Sequence, residues 1–387
     1  MIYNFDEIIN RRGTDCVKWD VADRAFKGEN LLPMWIADMD FATAPAITEE
    51  MHKRVEQGVF GYGMLPAAYY DAVIGWMRRR HQCEVQKEWI SYTAGVVTAI
   101  NYAIQAITEP GDEIMVHTPV YFPFYGAVEG QGRVLLRSPL KEEDLYYTMD
   151  FEDMERRVTP KTKALLFCSP HNPVGRVWKE EELKQLADFC KRHDLYVISD
   201  EIHNDLVYEK HTMFLNVDEE LAQRTILCTA PSKTFNIAGV QVSNAIIPNE
   251  EIRKKFKDLL TKAHVSSAHA LAAPALIGAY NGSEEWLDQL LVYLEGNLDL
   301  FCDTVAKELP MLRVRKSEGT YFAWVDCSAL GLTAEELKRF MIDRCGLALS
   351  DGKSFGEEGA QFMRFNLACP RATVEECLRR LKKGLEH

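Results

Sequence analysis

The amino-acid sequence predicts an α/β fold: a large domain wound around a mostly parallel sheet, followed by a smaller α+β C-terminal domain. Two observations predict it. From about residue 85 to residue 250, short apolar runs alternate with amphipathic stretches, the pattern of strand-and-helix units laid on one sheet. After "YNGSEEW" (280–286) the texture changes to one long helical run and then to isolated strand candidates, which marks a second unit.

The strands read in order as "KALLFCS" (163–169), "LYVISDE" (195–201), "TILCTA" (225–230) and "NAIIP" (244–248), each a short apolar run of strand length. Between the first two lies "KEEELKQLADFCKRHD", with Leu183, Leu186, Ala187 and Cys190 at helical spacing. Strand, crossover helix and strand make the unit of a parallel sheet. Upstream, "YTAGVVTAINYAIQAI" (92–107) runs from a small-residue turn into a periodic apolar helix. In the second unit a helix covers 284–309. The strands "GTYFAWVD" (319–326) and "FMRFNLA" (362–368) follow, with the helix "TAEELKRFMIDRC" (333–345) between them, opened by a capping box of Thr333 and Glu336. The boundary therefore falls near residue 285, with 1–45 as an N-terminal arm packing with the small domain, 46–285 as the large domain and 286–387 as the small one.

Composition narrows the function classes. Of 387 residues, 47% are hydrophobic and 27% charged, enough for two buried cores. The first residues, "MIYNFDEIINRRGTD", lack the apolar run of a signal peptide, and no stretch approaches the roughly 20 apolar residues of a membrane span. A cytoplasmic location is the expectation. Ten cysteines without CxxC or zinc spacing fit reduced, mostly buried thiols. A formal net charge of -13 with no dense basic block argues against nucleic-acid or anionic-membrane partners. The strongest basic cluster, "RRRH" (78–81), reads as a solvated helix face.

Chemistry collects at the ends of the expected strands, where open α/β sheets bind ligands beyond the carboxyl edge. Asp200 ends one strand in "SDEIH", Asn172 follows another in "SPHNPVG", and Lys233 follows a third in "TAPSK". Acid, amide and amine thus reach one edge. The helix that opens at Gly95 and Val96 adds unpaired amides and a dipole suited to a phosphate. One cofactor uses all four elements: pyridoxal phosphate, which needs a lysine for its aldehyde, an anion for its ring nitrogen, polar contacts for its phenolic oxygen and a phosphate cradle. Asp200 suits the ring nitrogen, while Asn172 and His203 suit the phenolic oxygen. "DEIHND" also offers Asp200, Glu201, His203 and Asp205 as metal ligands, but strand alternation sends neighbours to opposite faces, so no metal centre is expected.

"SPHNPVGRVW", "SDEIHNDL" and "APSKTFNIAG", in that order and separation, resemble the aminotransferase class I and II superfamily of fold type I pyridoxal phosphate enzymes. "LLPMWIADMDF" (31–41), "GVFGYG" (58–63), "TPVYFPFY" (118–125), "EGTYFAWVD" (318–326) and "FMRFNLACPR" (362–371) resemble its cystathionine β-lyase branch, the carbon–sulfur lyases. The resemblance covers nearly the whole chain. It implies a PLP-dependent transferase-like large domain with Lys233 as the covalent anchor, Asp200 paired with the ring nitrogen and Tyr121 stacked on the ring. Asn172 and His203 would contact the phenolic oxygen, and the Gly95 and Val96 amides with the Ser232 hydroxyl would bind the phosphate. Tyr62 would reach the phosphate or leaving group from the neighbouring subunit, which implies a homodimer with shared sites. Arg364 would take the substrate α-carboxylate, with Asn172 beside it.

The same residues have plainer readings. Alone, Lys233 is a surface lysine, Tyr62 and Tyr121 are packing, and Arg364 is half of a structural salt bridge. "PMWIADMDF" carries no role derivable from its residues; the resemblance puts it beside the substrate. The reaction implied is α,β-elimination on cystathionine or cysteine, giving pyruvate, ammonia and a thiol, with the freed Lys233 as base. An aminotransferase, which shares the proton removal, is the alternative. His203 stands where aminotransferases usually carry tyrosine, and Gln241 stands eight residues after Lys233, where they usually place a phosphate-binding arginine. Both departures lean towards the lyases. A regulatory role through protein contacts is the alternative of another class.

Overall fold

The computed structural model describes residues 1–386. Its centre is a seven-stranded sheet: β1 (Ile90–Thr93), β2 (Glu113–Thr118), β3 (Val134–Pro139), β4 (Thr162–Cys168), β5 (Tyr196–Asp200), β6 (Thr225–Thr229) and β7 (Ser243–Ile246). The spatial order is β1-β7-β6-β5-β4-β2-β3. Neighbours from β6 to β3 pair in parallel, whereas β7 runs antiparallel to both β6 and β1. The four strands expected from the sequence are β4 to β7, and β1 to β3 complete the sheet.

Strands β5 and β6 are buried almost throughout because helices cover both faces of the sheet, which is why they read as continuous apolar runs. On one face α1 (Val96–Ile107) sets Ala99, Ile100 and Ala103 against Val116, Ile198, Ile226 and Ala245. On the other, α2 (Glu180–Arg192) sets Leu183, Leu186, Ala187 and Cys190 against Met115, Leu165 and Val197. The period-two alternation within each strand sorts the two sets. The Lys179 N–H donates to Glu182 Oε2 at 2.8 Å and starts α2 at the expected place.

The C-terminal part carries α3 (Glu284–Glu308) and a four-stranded antiparallel sheet of β8 (Arg313–Val314), β9 (Phe322–Asp326), β10 (Ser350–Asp351) and β11 (Phe362–Asn366), in the order β8-β9-β11-β10. Between β9 and β10 lies α4 (Ala334–Asp343); α5 (Arg371–Leu385) closes the chain's described structure. The Thr333 and Glu336 capping box forms in both directions, at 3.3 and 2.9 Å. Among the described residues no helix is long and apolar enough to cross a membrane.

One surface expectation is corrected. Arg78 and Arg79 are exposed at the end of the helix Ala67–His81, but His81 is buried with its Nε2 2.8 Å from Asp205 Oδ1. The basic cluster is only partly a solvated face, because its last residue turns inward to a carboxylate that could not be buried alone.

The N-terminal arm reaches the site. Residues 35–39 lie outside helix and strand, yet each of their carbonyls accepts from a side chain. Arg364 and Ser350 bond Trp35 O, Asn366 bonds Ile36 O, Lys233 and Tyr321 bond Ala37 O, Lys18 and Asn366 bond Asp38 O, and Arg11 and Asn236 bond Met39 O. Side chains do here what a ladder would do in a sheet. Lys18 is 1% exposed and bonds Asp40 Oδ2 at 2.8 Å. Replacing Lys18 with Met should cost about 3 kcal/mol, the lower end of the range for a broken buried pair, because Asp40 keeps Arg11 and Trp19. Urea unfolding measures this; a loss below about 1 kcal/mol contradicts the assignment.

Candidate active site

A cavity of about 310 Å³ opens at the carboxyl ends of β4, β5 and β6, which point the same way because these strands are parallel. Each neighbouring element delivers polar groups to it. Asp200 is the last residue of β5, His203 lies just beyond it, and Asn172 follows β4. Ser232 and Lys233 follow β6, Tyr121 follows β2, and Gly95 with Val96 opens α1. Eight of the ten residues expected to hold cofactor or substrate therefore line one cavity.

The other two do not line it. Arg364, on β11, is buried beside Asn172: Nη1 donates to Asn172 Oδ1 at 2.9 Å, Nη2 to Trp35 O at 2.7 Å and Ser350 Oγ at 3.2 Å. Its bonds go to no carboxylate among the described residues, and its Nε is buried without an acceptor. The plain reading of Arg364 as a structural salt bridge is thereby lost. Tyr62 is fully exposed, outside the cavity of its own chain.

Burial sets the charges. It pulls the Lys233 amine down to about 8, helped by Arg364 and opposed by Asp38 and Asp200. The ammonium donates to Ala37 O at 2.6 Å. Burial pushes Asp200 up to about 7, with Glu201 adding to it, while the Ile202 N–H (3.1 Å) and Lys233 pull the other way. His203 is pushed well below its ordinary value by burial and by the charges of Lys233 and Arg364, so it is neutral, and its Nδ1 is buried without a partner. Tyr121 is pushed up to about 12, chiefly by burial.

These features fit pyridoxal phosphate. Asp200 is a buried carboxylate held by one backbone amide, and a protonated ring nitrogen would supply the partner it lacks. A Cβ built on Gly95 would meet no atom within 4 Å, so the first turn of α1 faces open space where a phosphate can approach the amides. The unpartnered His203 Nδ1 and Arg364 Nε await polar groups that the protein itself does not provide.

The four side chains of "DEIHND" part company. Asp200 and His203 face the cavity. Glu201 accepts from Ser199 Oγ, the Phe214 N–H and His211, whereas Asp205 accepts from Trp76 Nε1 and Thr234 Oγ1 and pairs with His81. Thr234 adjoins Lys233, so Asp205 buttresses the lysine loop from beneath.

The model of the aminotransferase class I and II family matches residues 29–381. The chain belongs to that family. Among its relatives in the class I and II family, cystathionine β-lyase PatB of Bacillus subtilis is 43% identical over 385 residues, covering 99% of this chain and 100% of the relative. A pyridoxal-phosphate-bound protein of Clostridium difficile 630, described as an aminotransferase, superposes with a TM-score of 0.97 at 41% identity, covering 99% of this chain and 100% of that one. Cystalysin of Treponema denticola, which contains pyridoxal 5'-phosphate, gives 0.96 at 39% identity, covering 100% and 99%. The fold is that of fold type I pyridoxal phosphate enzymes.

Within this aminotransferase class I and II frame, Gln241 lines the cavity with φ 52°. Its neutral amide brings no side-chain cation to that part of the cavity. Sequence reasoning missed Ala37, whose carbonyl meets Lys233, because a backbone oxygen has no residue-type signature. Within "MWIADMDF" it is the backbone of Ala37, Met39 and Phe41 that meets the lysine loop, at Lys233 Nζ and the Asn236 side chain.

Proposed function

We propose that this chain is a pyridoxal-phosphate-dependent carbon–sulfur β-lyase that takes an amino acid such as cystathionine or cysteine and releases pyruvate, ammonia and a thiol. One observation carries the reading: an amine pulled down to about 8 and a buried carboxylate share one cavity with helix amides at its end. The name of the 43% identical relative, and the neutral His203 and Gln241, support elimination over transamination.

Pyridoxal phosphate, when bound, supplies an electron sink for the pair left at the substrate's Cα. The remaining work falls to the chain. Asp200 would hold the proton on the ring nitrogen, and the Gly95 and Val96 amides with Ser232 Oγ would hold the phosphate. Tyr121 would lie against the ring, while Asn172 and the neutral His203 would take the phenolic oxygen. Arg364 orients the substrate through its α-carboxylate, with Asn172 beside it. Lys233 Nζ, once neutral, accepts the Cα proton and hands a proton to the departing sulfur. Because a base works deprotonated, kcat is expected to rise with pH through about 8 and then level; a profile falling across that range contradicts the role.

Arg364→Lys keeps the charge but loses the planar fork. The expected result is a KM for cystathionine raised about tenfold or more, the worth of one charge-assisted hydrogen bond, with a smaller change in kcat. Initial rates across substrate concentration decide it.

Tyr62 enters this reading as a residue lent to the neighbouring copy of a homodimer, at the phosphate or leaving group. The joint exposure of Val59, Phe60, Tyr62 and Met64 supports it. Residues 46–285 then hold the cofactor, while 286–387 and the arm 1–45 hold the substrate carboxylate. The setting that fits is cytoplasmic sulfur amino acid metabolism, including methionine synthesis. The test is to incubate purified enzyme with cystathionine and no keto acid. Equal amounts of pyruvate and homocysteine are expected; conversion of the bound cofactor to pyridoxamine phosphate without thiol release contradicts the lyase.

A further inference from the structure

Two cations and two carboxylates lie buried or half-buried beside the site, and the mechanism uses none of them. Arg11 spans both acids, with Nη2 2.9 Å from Asp38 Oδ2 and Nη1 2.7 Å from Asp40 Oδ1. Lys18 Nζ lies 2.8 Å from Asp40 Oδ2 and 3.6 Å from Asp38 Oδ1. The four charges cancel. For stability alone such a quartet is a weak choice, since well-packed apolar residues in its place are often as stable or more so. Its location supplies another reason: it grips the residue next to Ala37, whose carbonyl receives Lys233 Nζ at 2.6 Å and the Tyr321 hydroxyl at 3.1 Å.

We propose that Arg11, Lys18, Asp38 and Asp40 are positioning residues, which fix the Ala37 carbonyl as the docking point of the Lys233 ammonium and hold the Asp38 carboxylate against that charge. The quartet thereby sets how readily the lysine gives up its proton. Its value to catalysis rests on the reading of Lys233 as the proton carrier; its effect on the lysine does not. A fixed carbonyl and a fixed carboxylate both favour the charged amine, and both oppose the burial that favours the neutral one. The balance keeps the lysine able to carry a proton in either direction.

The charged or titratable groups facing Lys233 are Asp38 from the arm, Asp200 from β5, His203 beyond it, Tyr121 after β2, Tyr321 just before β9 and Arg364 from β11. Of the two carboxylates only Asp200 lines the cavity, so Asp38 can be neutralised without touching the cofactor pocket.

The test reads Lys233 in the full chain freed of cofactor, by pH-dependent labelling of its amine with an acylating reagent and mass spectrometry of the peptide that carries it. In the wild type, labelling is expected to reach half its plateau near pH 8. In Asp38→Asn the midpoint moves lower, and the rate at pH 7 relative to the plateau rises about threefold. The sign discriminates. An arm that is merely structural would loosen, readmit water to the lysine and move the midpoint upwards. A midpoint unmoved or raised overturns the proposal. Should Asp38→Asn fail to fold, Asp38→Ser serves: it too removes the carboxylate, so a lower midpoint and a relative rate at pH 7 raised about threefold are expected, and a midpoint unmoved or raised overturns the proposal.

Discussion

Replacing Lys233 with alanine is expected to remove the visible absorbance of the cofactor-loaded protein and to reduce kcat by at least about 10²–10⁴-fold, the worth of a positioned proton carrier. Three features of the site require it. Lys233 is the lysine lining the cavity, its amine is drawn down to about 8 by burial, and its Nζ meets a fixed carbonyl on the arm. Neither His203 nor Tyr121 can substitute: His203 is held neutral far below its ordinary value, and Tyr121 is pushed up to about 12, so neither exchanges a proton as easily near pH 7. Spectra and steady-state rates of the variant check this, and colour retained after removal of excess cofactor contradicts it.

Replacing Asp200 with asparagine is expected to lower kcat by roughly 10²–10³-fold while KM changes much less. The carboxylate acts where charge changes most. It stands at the end of β5, buried, with one amide donor, and alone it is pushed up to about 7. A protonated ring nitrogen opposite would return it to its charged form, and that pairing matters most when the ring takes up electrons. Asparagine keeps the shape and loses the charge. Kinetics indistinguishable from the wild type would remove Asp200 from the account.

Much of this was legible before the fold was known, and for physical reasons. Strands β4, β5 and β6 are covered on both faces, so they stand out as apolar runs, and the polar residues at their ends stand out by contrast. Asp200, Asn172 and Lys233 were found that way. Strand β3 lies at the sheet edge with a mixed exposure pattern, and its sequence carries no such contrast. His81 was misjudged because its partner Asp205 lies 124 residues away. The arm was opaque for a different reason. Its residues 35–39 act mainly through carbonyls, which every amino acid has, so only the fold shows that Ala37 meets Lys233. Arg364 was singled out as an arginine on an apolar strand, but its bond to Asn172, which lies 192 residues away, needed the packing of β11 against the loop after β4.

The most direct test of the central claim is where the cofactor attaches. Borohydride reduction of the cofactor-loaded enzyme, followed by digestion and peptide mass mapping, should place the added pyridoxyl phosphate mass on Lys233 within "TAPSKTFNIAG". The same mass on any other lysine, or an unmodified Lys233 in fully loaded enzyme, would contradict the account.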